Sequence, residues 1–143
     1  MDLIHFDTSK NLEELEAMHK GRPSMVSRSH KLRKKPLKDF SMEELRLMIS
    51  QNSSLKYLVP LAIERLHVDS LVKGDGYEGD LLNAVLTVEK KFWMDDLRGY
   101  IPMLQALIEK ALGIANTKTI EYKKFLTHST GAINIFKANV GLS

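Results

Sequence analysis

Three observations predict an all-α fold for this chain. Apolar residues recur at three- and four-residue spacings along most of its length, helix start and stop signals bracket those stretches, and the alternation of a half-buried strand is weak throughout. Its 143 residues make residues 1–143 one compact domain of about six to eight helices. At 16.3 kDa the chain buries roughly two-thirds of its unfolded surface on folding, which supports a core without staples.

The first helix is expected from Asn11, where Asn11 and Glu14 form an N-cap pair, to a stop at Gly21. A second covers about Ser24 to Lys34, and Pro36 then biases Lys35 away from helical geometry. Ser41-Met42-Glu43-Glu44 reads as a capping box, with Met42, Leu45, Met48 and Ile49 following on one face. Gln51-Asn52-Ser53-Ser54 ends that helix with turn-forming residues. Leu58 to Leu66 is apolar almost all round, as a central buried helix must be. Pro60 fits best in its first turn; a start near Leu55 would place it where it kinks the helix.

Lys73-Gly74-Asp75-Gly76-Tyr77-Glu78-Gly79-Asp80 is the clearest loop. Its glycines permit positive φ, and Asp80 is expected to cap the next helix, which carries Leu81, Leu82, Val85 and Leu86. Phe92 and Trp93 follow a short break, and Pro102 opens a helix through Ile108 and Leu112. A last helix is expected from about Thr119 through Phe136, with Gly131 as a candidate interruption.

The net charge of +3 hides a polarity. Lys20 to Lys38 holds eight basic residues and no acid, whereas Asp39 to Tyr100 holds eleven acids against seven bases. A chain divided in this way presents a basic face and an acidic face. The basic run supports one reading, a small helical adaptor or nucleic-acid-associated protein using residues 28–38, because clustered cations neutralise phosphates. No aromatic residue interleaves with that run for base stacking.

Chemistry is poorly supported. With no cysteine, disulfides, thiol nucleophiles and thiolate zinc sites are excluded, and a reducing cytoplasm suits the composition. The five histidines never pair at i, i+4, so no metal site is expected; His67 reads as a helix-end residue. Gly74-x-Gly76-x-x-Gly79 has the spacing of a dinucleotide loop, but it follows no strand and its acids would repel phosphate. The same loop lacks the alternating oxygen ligands of a calcium hand. Ser27, Ser29 and Ser41 have no assignable base, so no catalytic residue and no cofactor is expected. No apolar run approaches the ~20 residues that span a bilayer, and the N-terminus has no signal-peptide pattern. The expectation is a cytoplasmic protein that is not an enzyme.

The order of residues from 25 to 95 resembles a known family. His30-Lys31-Leu32-Arg33-Lys34-Lys35-Pro36-Leu37, Phe40, Glu44-Leu45-Arg46, Gln51-Asn52 and Leu58-Val59-Pro60-Leu61-Ala62 come first. Gly74-Asp75, Tyr77, Gly79-Asp80-Leu81-Leu82, Ala84-Val85-Leu86 and Phe92-Trp93 complete it. This pattern is similar to that of the all-helical immunity proteins of bacterial contact-dependent growth inhibition (CDI) systems. The chain departs from it twice. Gly76 and Glu78 stand where the family loop usually has phenylalanine and proline, and Ser53-Ser54-Leu55 stands for Ile-Gly-Leu.

The resemblance implies a protein that binds the C-terminal toxin domain of a CDI effector. Many such toxins are nucleases with a basic groove, where an acidic surface acts as a phosphate mimic. The expected contacts are Asp75, Glu78 and Asp80 with Tyr77, followed by Asp69 and Glu64 on the approach to the loop. Trp93 is either an interface anchor or, with Phe92, part of the core. The loop itself has two readings, a docking element or a connector whose acids cap the next helix.

Overall fold

A computed structural model describes residues 3–17, 31–94 and 98–142. Seven α-helices lie among them: α1 (Leu12–Ala17), α2 (Met42–Ser50), α3 (Leu55–Val68), α4 (Asp80–Leu86), α5 (Lys90–Trp93), α6 (Tyr100–Thr117) and α7 (Lys123–Val140). No strand is present among the described residues, so the fold is all-α as expected.

The local signals act where the sequence placed them. At the start of α1 the Asn11 side chain accepts from the Glu14 amide at 2.8 Å, and Glu14 accepts from the Asn11 amide at 3.1 Å. The Gly21 stop and most of the expected helix from Ser24 lie outside the described residues. The final residues of that expected helix, Leu32–Lys34, form a 3-10 turn. Lys35 takes extended geometry (ψ 133°) ahead of Pro36. The reciprocal bonds between Ser41 and Glu44 close the capping box of α2.

Two expectations about helix continuity are corrected. α3 begins at Leu55, so Pro60 sits in its interior and not in its first turn. There it removes the bond its N–H would have made to the Lys56 carbonyl. α7 begins at Lys123, four residues after Thr119, and runs unbroken through Gly131. A single glycine lowers helix propensity by ~1 kcal/mol, too little to break a helix anchored by buried Phe125, Ala132 and Phe136.

α3 buries most of its surface, but the hub is α4, every residue of which is buried. α4 packs against α2, α3 and α7. Leu45, Met48 and Ile49 of α2, Leu58, Ile63 and Leu66 of α3, Leu81, Leu82, Val85 and Leu86 of α4, and Phe125 and Phe136 of α7 meet in one hydrophobic cluster. α3 and α4 run side by side in opposite directions. At one end the 69–79 loop joins them; at the other the Asn52 side chain before α3 accepts from the Glu89 amide after α4 at 3.0 Å.

Candidate functional site

The 69–79 loop is built as a rigid object. Asp69 opens it by accepting from the Leu71 amide at 3.0 Å. The Gly79 amide donates back to the Leu71 and Val72 carbonyls, and Lys73 and Glu78 form an isolated antiparallel bridge. Asp80 is the first residue of α4, and the capping position belongs to Gly79, which corrects the expectation that Asp80 caps the helix. The Asp80 carboxylate turns back into the loop instead. It accepts from the amides of Gly74 (2.7 Å), Gly76 (2.9 Å) and Tyr77 (3.3 Å) and is 4% exposed.

A second carboxylate supports the loop from α2. Glu43 Oε1 accepts from the Asp75 amide at 2.9 Å and from Arg46 Nε at 2.6 Å, while Arg46 also lies 3.8 Å from Asp80. The Arg46 bond holds the Glu43 carboxyl below the usual glutamate range; burial opposes this, and the Asp75 amide adds to it. The same pairing raises Arg46. One guanidinium therefore compensates the two carboxylates that shape the loop.

The glycines act mainly through close approach. A Cβ at Gly74 would stand 2.8 Å from Glu43 Oε1, and one at Gly76 would stand 3.0 Å from Asp80 Oδ2. Of the three, only Gly79 takes a positive φ, at +90°, and a Cβ there would run into the Phe125 ring of α7. Tyr77 is half-buried: its hydroxyl accepts from Asn83 Nδ2 at 2.9 Å, and its ring stacks on His128 of α7 at 5.1 Å.

What remains for a partner is mainly acidic, with Lys73 the exposed cation within the loop. The side chains of Asp75 and Glu78 are exposed at the loop, and Glu64 and Asp69 are exposed at the end of α3. Val68, between them in sequence, is 86% exposed. Trp93 lies elsewhere, 3% exposed, with its ring 5.0 Å from Phe92 and 5.5 Å from Phe136. It packs in the core, the second of its two readings.

The basic run is partly committed to structure. Arg33 is buried and pairs with Glu16 of α1, and Lys35 pairs with Glu44 at 2.8 Å. Lys31, Lys34 and Lys38 are exposed. Glu43, which accepts from the Asp75 amide, is the loop-shaping residue that sequence reasoning missed, and Glu16, which pairs with Arg33, is the missed brace of the basic run. The i, i+3 spacing of Glu43 and Arg46 was a visible signal, but the reach from Glu43 to residue 75 was not.

The described residues define a class: a helical protein whose polar clusters brace a backbone and present a stiff acidic loop, which suits binding. Among them, no group of three or more histidine, aspartate or glutamate side chains is placed to hold a metal ion, and no helix is long and apolar enough to cross a membrane. Residues 11–99, more than half of the chain, match the family of CDI immunity proteins, and the chain belongs to that family. No curated protein and no solved structure matches it. The family match stops at Gly99, yet α7, beyond it, supplies the Phe125 and His128 rings on which the loop rests.

Proposed function

We propose that this chain works in the cytoplasm by neutralising the C-terminal toxin domain of a CDI effector, that the toxin is a nuclease, and that the acidic end of α3 and the 69–79 loop block its basic substrate groove. Family membership supports toxin neutralisation. The observation that carries the mode of blockade is the loop's construction: its backbone is fixed by Asp80 and Glu43, while Asp75 and Glu78 face solvent. A preorganised loop loses little entropy on docking, and unpaired carboxylates steer a basic partner to it. Asp75 and Glu78 make the first contacts, Asp69 and Glu64 extend them, and Tyr77 contributes its ring edge. Asp80 acts by holding the loop in shape. The chain itself performs no chemistry; it occupies the site that would hold nucleic acid.

The experiment is co-expression with the toxin domain encoded immediately upstream, scored by growth and by co-purification. Rescue and a stable complex are expected. Asp75→Lys with Glu78→Lys should slow association by roughly 10- to 100-fold at low salt with helicity unchanged. Rescue with unaltered association by this double variant would retain the immunity function and eliminate the acidic-loop mode.

A further inference from the structure

A concave feature lies at the end opposite the acidic loop. It is a cleft of about 750 Å³ between the N-terminal segment, the start of α3, the α4–α5 connection and the start of α6. α3, 14 residues long, separates the two ends by about 21 Å at 1.5 Å per residue. The cleft is therefore distinct from the loop proposed to meet the toxin.

Its lining has two chemistries. Phe6, Tyr57, Phe92 and Tyr100 supply aromatic wall, with Phe6 and Phe92 half-exposed. The Phe92 and Tyr100 rings are parallel within 1° at 6.5 Å, and Phe6 meets Tyr57 edge to face at 5.1 Å. Among the described lining residues, Lys56, Lys91 and Arg98 supply three cations against one carboxylate, Glu89, and all three are exposed. The wall is braced rather than loose: the Glu89 amide is tied to Asn52, and Phe92 packs on buried Trp93. A cleft within the size range of small-ligand sites, lined by the parallel Phe92 and Tyr100 rings and by an excess of described cations, matches a flat ligand that carries negative charge.

We infer that this cleft binds a small planar aromatic anion, its ring against Phe6, Phe92 and Tyr100 and its phosphate or carboxylate at Lys56, Lys91 and Arg98. The ring accounts for the aromatic wall and the anion for the charge excess; neither an apolar molecule nor an inorganic anion uses both. A free nucleotide and a simple aromatic acid share this chemistry.

Calorimetric titration of the full chain at low salt tests it, with phenyl phosphate and AMP as ligands and inorganic phosphate and benzyl alcohol as the separated halves. Saturable one-to-one binding of phenyl phosphate or AMP is expected, about tenfold or more tighter than either half. Lys91→Ala with Arg98→Ala, both at exposed positions, should weaken it by about tenfold or more, and Phe92→Leu should weaken it while leaving phosphate binding unchanged. AMP ahead of phenyl phosphate points to a nucleotide, and the reverse order to an aromatic acid. Absence of saturable binding by both ligands, phosphate binding as tightly as they do, or an unchanged affinity in the double cation variant overturns the proposal.

Discussion

Gly79 and Gly131 show how one residue type takes opposite roles. At Gly79 the φ of +90° and the Phe125 ring both forbid a side chain. Gly79→Ala should cost roughly 2–4 kcal/mol through strain and overpacking together. Gly131 lies within α7 with open space where a Cβ would stand, so Gly131→Ala should add about 0.5–1 kcal/mol. Urea unfolding followed by helix circular dichroism checks both signs in one series. Asp80→Ala leaves the Gly74, Gly76 and Tyr77 amides without their acceptor and should cost about 1–3 kcal/mol. Hydrogen exchange should quicken at those three amides. Exchange as slow as in the parent would show that the loop is held by the Lys73–Glu78 bridge and Glu43 alone.

At the scale of elements, α2 is held by ionised groups at its start. Glu43 is lowered from the ordinary 4.5 by its bond to Arg46. Glu44 is raised by burial but lowered further by Lys35 and the Ser41 amide, for a net decrease from 4.5. A carboxylate lowered on folding contributes stability that is present in full above its unfolded value and lost as pH falls through its folded one. The urea midpoint should therefore fall as pH drops below 4.5, and Glu43→Gln with Glu44→Gln should flatten that limb. A limb equally steep in the double variant would place the acid sensitivity elsewhere. α3 shows the balance between propensity and burial. An interior proline costs ~3 kcal/mol, but apolar side chains buried on nearly every side of the helix offset it.

At the scale of the whole molecule, the antiparallel α3–α4 pair sets an electrostatic axis. The acids Glu64, Asp69, Asp75 and Glu78 lie at one end, and Lys56, Lys91 and Arg98 lie at the other. Opposite charge at the two ends makes orientation part of any encounter with a charged partner. α7 is what fixes this arrangement, since Phe125 and His128 seat the loop, Phe136 meets Trp93, and Asn139 bonds the Val88 carbonyl at 3.2 Å. A chain ending at Lys118 should lose cooperative unfolding. A sharp transition in the shortened chain would instead show that residues 1–118 hold their own core.

Much of this architecture was legible in residues with a local mechanism. The Asn11–Glu14 pair, the Ser41–Glu44 box, the extended Lys35 before Pro36 and the stop after Ser50 depend on neighbours within four residues, so the sequence determined them. The family was legible too, because its pattern is an ordered run of such features. Other outcomes depend on residues far apart in the chain. The position of Pro60 inside α3, the continuity of α7 through Gly131 and the hub role of α4 were decided by burial, which only tertiary contacts specify. Ser54 takes a φ of +51°, and its hydroxyl bonds Glu16, 38 residues earlier, at 3.2 Å. Asp80 looks like a helix cap in sequence; the folded chain makes it the acceptor for three loop amides. The cleft at the far end joins residues from Leu3 to Tyr100. The sequence by itself determined the helices and the family, because caps, stops and periodicity act over a few residues. Tertiary structure decided which acids are free to meet a partner and where the cations gather, because exposure belongs to the packed molecule.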